Sequence, residues 1–153
     1  MFTLRVTTTF AAPIERCFDL ARNVEAHLKS AAHTGETAVA GRTRGLLELG
    51  DEVTWEARHF GVRQRLMIRI TAFERPRYFQ DRMIRGAFKF LEHDHHFESG
   101  DGGTTVMTDI VRFQAPLGPL GWLAERLFLA GHVRRFVEVR GVALKAMAES
   151  ESG

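Results

Sequence analysis

The chain has 153 residues, 44% hydrophobic, 26% charged and 10% aromatic, which suits one core of ordinary size and excludes fibrous, repetitive and disordered architectures. Its 21 Lys and Arg nearly balance 19 Asp and Glu, so no strong field of either sign marks it as a nucleic-acid binder. A single cysteine, Cys17, excludes an internal disulfide and a Cys-rich zinc site.

Residues 2–10, FTLRVTTTF, are rich in β-branched and aromatic types and predict a first strand that stops at Ala11-Ala12-Pro13. Pro13 suits the first turn of a helix, and Ile14, Cys17, Phe18 and Ala21 recur at three- and four-residue steps. Asn23 predicts the N-cap of a second short helix over 24–31. Alternating segments follow at 34–42, 45–58, 62–74, 77–84, 87–98 and 104–114, broken by Gly- or Pro-containing turns, which predicts a meander of antiparallel strands. The basic stretch from Arg58 to Arg85 interleaves with apolar residues in these strands and reads as a solvated sheet face. After Pro116-Leu117-Gly118-Pro119-Leu120-Gly121, helical spacing runs from Trp122 to Glu149 with a kink expected near Gly131. Leu129, Val133, Phe136, Val137, Leu144 and Met147 share one face of that helix, with Arg140 near its middle.

A long amphipathic helix must bury its stripe against the only sheet available. A bent antiparallel sheet around one helix, plugged by two short helices, leaves a cavity of the kind that takes a small molecule. This α+β plan of about seven strands, with residues 1–150 forming one domain, is similar to the helix-grip fold of the START-like superfamily. The runs Phe79 to Phe97, Gly103 to Gly121 and Arg134 to Arg140 resemble the SRPBCC subgroup of polyketide cyclase/dehydrase and coenzyme Q-binding domains. The resemblance rests on Phe79 and Asp81, Gly86 and Phe88, His93, His95 and Phe97, Asp109 and Val111, and Pro116 to Gly121. It implies a carrier of a hydrophobic small molecule, such as a lipid, a quinone or a polyketide-like compound, with no cofactor. It also implies an alternative, a cyclase or dehydratase using a His/Asp pair. The two are separated by whether alanine at His93 or His95 abolishes turnover with the fold intact.

Glu92-His93-Asp94-His95-His96 is the most unusual run in the chain. Strand alternation puts His93, His95 and Phe97 on one face, and Phe97 marks that face as inward. Folding the last hairpin brings Asp109 roughly opposite His93. Arg140 on the buried stripe needs an anion, for which Asp109 or Asp81 is the candidate. Asp81, His93, His95, Asp109 and Arg140 are therefore expected to form one internal polar patch. Three readings stay open for it: catalysis by a His–Asp pair, a metal held by His93 and His95 with Asp109 or His59, or mutual satisfaction that fixes the helix on the sheet. Trp55, Met83, Phe88, Phe90 and Phe136 are the expected cavity walls, His27 and His33 lie around the second short helix, where a pocket mouth would be, and are expected at the surface, and Cys17 is expected to be a small buried hydrophobe.

The apolar segment from Phe113 to Leu129 suits either contact with a membrane or partner, or burial under the sheet edge. No stretch reaches the roughly 18 apolar residues of a membrane helix, and MFTLRVTTTF lacks the plan of a secretory signal, so a cytoplasmic location is expected. Oligomeric state is open.

Overall fold

The computed structural model describes residues 1–150. Strand β1 (Phe2–Phe10) is followed by helices α1 (Ile14–Ala21) and α2 (Val24–Ser30), then strands β2 (Thr37–Gly41), β3 (Glu52–His59), β4 (Val62–Glu74), β5 (Tyr78–Arg85), β6 (Phe90–Ser99) and β7 (Thr105–Gln114). Helix α3 (Gly118–Ala124), a π-helical turn (Glu125–Leu129) and helix α4 (Ala130–Ser150) then run on as one 33-residue helical stretch. The strands form one antiparallel sheet in the order β1-β7-β6-β5-β4-β3-β2, so the meander is closed on its far side by the first strand. Register shifts between Ala38 and Ala40, Met67 and Ile68, and Ile70 and Ala72 bend the sheet around the helix, since each bulge kinks a strand and adds twist. This is the helix-grip fold. Among the described residues no helix is long and apolar enough to cross a membrane.

The inner face carries two apolar clusters. One gathers Phe10, Phe18, Ile70, Phe79, Phe97 and Leu144; the other gathers Leu4, Val6, Val111, Phe113 and Val137. Along β7 the inward residues run Met107, Asp109, Val111, so Asp109 falls between a member of the first cluster and a member of the second. Helix α4 repeats the pattern, with Arg140 between Val137 and Leu144. The polar patch therefore lies at a seam, where an ionic group interrupts neither cluster's packing. Gly141 lets the helix approach the sheet here: a Cβ at that position would stand 2.5 Å from Thr8 Oγ1.

Several boundaries depart from the sequence expectations. Residues 45–51, expected as strand, form a loop with positive φ at Gly45 and Gly50, tied to the helix pair by Leu47 N–H donating to Arg22 O at 2.9 Å. The start of the expected strand 34–42 is taken by a 3₁₀ turn, Ala32–Thr34. The long helix begins at Gly118 rather than Trp122, because a proline in the first turn lacks only an N–H that would be unpaired anyway. The kink expected near Gly131 takes the form of the π-helical turn just before it. Of the two alternatives left open for Phe113–Leu129, the structure buries Phe113, Ala115, Gly121 and Glu125 but leaves Leu117, Leu120, Trp122, Leu123, Leu127 and Phe128 exposed. On the outer sheet face Arg63 and Arg65 share Glu56, and Arg69 pairs with Glu52, so the basic stretch is partly balanced across strands.

Candidate functional site

The space between sheet and helix is a cavity of about 300 Å³. Its walls are largely apolar, with Trp55, Leu66, Ile68, Phe88, Val133 and Phe136 among them, and its polar side is made by Asp81, His93, His95 and Arg140. Two expected wall residues are elsewhere. Phe90 lies on the outer face, with the Arg82 guanidinium 5.9 Å from its ring centre, because Gly86–Lys89 form a turn and break the alternation that links Phe88 to Phe90. Met83 shares the inner face with Asp81 but packs by Gly86, where an added Cβ would stand 2.8 Å from its Sδ, and does not line the cavity.

The structure brings Asp81, His93, His95, Asp109 and Arg140 together. The pairing register puts Asp109 opposite His95, and Asp81 opposite His93, which corrects the expected His93–Asp109 register by two residues without changing the face. Each imidazole instead reaches its diagonal neighbour: His93 Nε2 lies 2.7 Å from Asp109 Oδ1, and His95 Nε2 lies 2.7 Å from Asp81 Oδ2. His95 Nδ1 is also 3.2 Å from Asp109 Oδ1. The two rings stack on each other at 3.8 Å, and His95 stacks on Phe79 at 4.0 Å, which fixes both ring planes. Arg140 Nη2 donates to the carbonyl of Ala21 at 2.9 Å, and Nη1 is 3.6 Å from Asp109 Oδ1. Asp109 lies behind the imidazoles and is not on the cavity wall.

The environment divides the charges. Burial disfavours the ionised forms of both carboxylates, but hydrogen bonds and charge from the histidines and Arg140 prevail, holding Asp81 and Asp109 below the usual carboxylate range. Burial and the neighbouring His95 push His93 down despite its bond to Asp109. Burial also acts against protonated His95, but the bonds to Asp109 and Asp81 outweigh it and raise this histidine. The two carboxylates thus face Arg140 and a His95 whose protonated form they favour, while His93 is pushed toward its neutral form. A neutral His93 that bonds a carboxylate through Nε2 carries its proton there, which leaves Nδ1 as a base on a side chain that lines the cavity. Asp81, His93 and His95 also have donor atoms within 4.8 Å of one another, so Asp81, rather than the expected Asp109 or His59, completes the three-residue set found among the described residues.

Sequence reasoning missed the far end of the cavity. His27, expected at the surface, stacks on Trp55 at 4.1 Å, pairs with Glu36 and lines the cavity, whereas His33 is exposed. His59 Nδ1 and His132 Nε2 are 2.8 Å apart, joining the end of β3 to α4. His132 falls on the helical spacing of Leu129, Val133 and Phe136, a signal that could have revealed it.

Among solved structures, the chain is similar to TTHA0849 from Thermus thermophilus, with a TM-score of 0.79 at 19% identity over 99% of this chain and 100% of that one. It is also similar to protein Ms6760 from Mycobacterium smegmatis, with a TM-score of 0.72 at 21% identity over 97% of this chain and 91% of that one. A START superfamily protein from Mycobacterium smegmatis gives a TM-score of 0.72 at 14% identity, covering 97% of both chains. No curated protein matches the chain. The model of the family described as polyketide cyclase / dehydrase and lipid transport matches residues 10–134. With the helix-grip sheet and a family match over most of its length, the chain belongs to the polyketide cyclase / dehydrase and lipid transport family.

Proposed function

We propose that the protein binds a compact, largely apolar molecule whose oxygen meets Arg140 at the polar side of the cavity. One observation carries this reading: Arg140 is 4% exposed and lines the cavity, yet its Nη1 has no hydrogen-bond partner among the described residues. A buried guanidinium donor without an acceptor is costly, and a ligand carbonyl, carboxylate or hydroxyl would satisfy it. The volume is at the lower end of the roughly 300–1,000 Å³ typical of small-molecule pockets. A quinone headgroup or a polyketide-like ring suits that space better than a two-chain lipid.

Native mass spectrometry of protein from its own host, followed by organic extraction, tests the reading. A near-stoichiometric adduct that yields an oxygenated apolar compound is the expected result. Ala57, which lines the cavity on β3, provides the control: Ala57→Leu narrows the space and should remove the adduct while leaving the melting temperature near that of the native chain. A bare mass from the native host, or an adduct untouched by Ala57→Leu, counts against the reading.

A second reading, an enzyme of cyclase or dehydratase type, is favoured by the state of His93. Here His93 Nδ1 takes a proton from the carbon beside a ligand carbonyl, and Arg140 Nη1 donates to the resulting enolate oxygen. Asp109, which does not reach the cavity, acts as a positioning residue that holds the ring. The reading requires two histidines two residues apart to titrate on opposite sides of the ordinary value of 6.5. Imidazole nitrogen resonances followed against pH should show His93 neutral at pH 7 and titrating below 6.5, with His95 titrating above it as part of a coupled cluster. A His93 that stays cationic at pH 7 removes the base.

A further inference from the structure

We propose that the face formed by α3 and the π-helical turn docks on an anionic lipid bilayer. Leu117, Leu120, Leu127 and Phe128 are 75%, 67%, 61% and 63% exposed, and Trp122 and Leu123 are exposed beside them. Leu120, Leu123 and Leu127 follow the three- and four-residue spacing of one helix face, so they form a surface rather than scattered side chains. Leu117 stands at the tip of the preceding turn with a φ of 75°, a strained conformation for a leucine that holds this large side chain out at the start of the helix. Phe60, on the β3–β4 turn, lines the cavity, is exposed and packs on His132 with ring centres 4.4 Å apart.

The charge around this face selects its occupant. From Gln114 to Val137 the sequence has one acid, Glu125. That carboxylate is turned inward, 2% exposed, and accepts the Ala115 N–H at 2.7 Å. The outward charges of the same stretch are Arg126, Arg135 and Arg134, the last donating to the Arg5 carbonyl at 3.3 Å, and the exposed Glu138 follows directly; the Arg126 guanidinium lies 4.4 Å from the centre of the Trp122 ring. Large apolar side chains beside arginines, with no exposed acid between them, match a helix lying in the plane of an anionic membrane surface. A tryptophan with an arginine over its ring is amphipathic in the way that suits the headgroup layer. The next turns of the same helix supply Leu129, His132, Val133 and Phe136 to the cavity wall, so docking sets this wall of the cavity close to the bilayer. The docking itself does not depend on what the cavity holds.

Co-flotation with vesicles of phosphatidylcholine alone and of phosphatidylcholine with phosphatidylserine tests the proposal. The protein should float with the phosphatidylserine vesicles, less so with phosphatidylcholine alone, and the difference should shrink as salt is added. Arg126→Gln should weaken binding about fivefold, the share of one cation near an anionic surface. Leu123→Asp combined with Leu127→Asp should abolish flotation with the circular dichroism spectrum unchanged, because both side chains are exposed. Absence of flotation with phosphatidylserine vesicles, or flotation undiminished in the double variant, overturns the proposal. So does a sedimentation dimer that the double variant dissolves, which assigns the face to a second copy of the chain.

Discussion

Asp109→Asn should destabilise the protein by about 3–5 kcal/mol, although it changes a single atom, because it leaves the buried Arg140 without its anion. Asp109 is fully buried and is reached by His93 at 2.7 Å, His95 at 3.2 Å and Arg140 at 3.6 Å. An asparagine there keeps the shape but removes the charge facing Arg140 and the interaction that favours protonated His95, and Asp81 is the one carboxylate left in the cluster. Arg140→Leu should also destabilise, since it strips a cation from Asp109 and a donor from the carbonyl of Ala21, by which the long helix is tied to the end of α1. Because both changes act on one network, the double variant should lose less than the sum of the singles. The pH profile supplies an independent check. Asp81 and Asp109 are depressed in the folded state, so the stability they confer is present above the ordinary carboxylate value of 3.8 and is lost as pH falls below it. Urea unfolding should therefore show a steep acid limb in the native chain and a shallower one in Asp109→Asn. An asparagine variant as stable as the native chain, with an unchanged acid limb, would mean that the cluster contributes nothing to the fold.

What could be read from the sequence follows from periodicity. Alternation along β6 put His93 and His95 on the face of Phe97, and the wheel put Arg140 on the buried stripe; both are properties of one element and survive folding. The partner assignments needed more. Asp109 could be placed opposite His93 only by counting through the hairpin, and the 3₁₀ turn at Asp101–Gly103 falls inside that count, which comes out two residues from the observed register. The diagonal hydrogen bonds depend on how neighbouring strands twist past each other, which no single strand encodes. Phe90 was misplaced for a related reason, since alternation carries no information across a turn such as Gly86–Lys89. The far end of the cavity lay furthest from reach: the contact of His27 with Trp55, and of His59 with His132, exists only because a helix, a strand and the long helix converge. The exposed leucines carried a signal of equal strength for burial and for display, and only the path of the helix beyond the sheet edge separates the two.

Gly121→Ala should be the second severe change, and its cause is backbone rather than charge. A Cβ on Gly121 would lie 1.8 Å from the carbonyl oxygen of Pro116 and 2.9 Å from its carbon, with the carbonyl oxygen of Ala115 at 3.2 Å. All three are main-chain atoms, so no side chain can turn away, and α3 must lift from the end of β7. Lifting it also separates Glu125, 2% exposed, from the Ala115 N–H at 2.7 Å, leaving a buried carboxylate without its donor. Overpacking and the lost hydrogen bond to a charged group together predict a destabilisation of about 3 kcal/mol or more. Gly131→Ala is the matched control ten residues on: an added Cβ there meets nothing within 4 Å, so the change should be neutral or should stabilise α4 by about 0.5–1 kcal/mol. Chemical denaturation of both variants decides the matter, and a Gly121→Ala protein no weaker than Gly131→Ala would show that α3 does not depend on its contact with Pro116. If the contact does hold, the same substitution should also impair vesicle flotation, because α3 carries Leu120 and Leu123 at the height that the close approach of Gly121 to Pro116 sets.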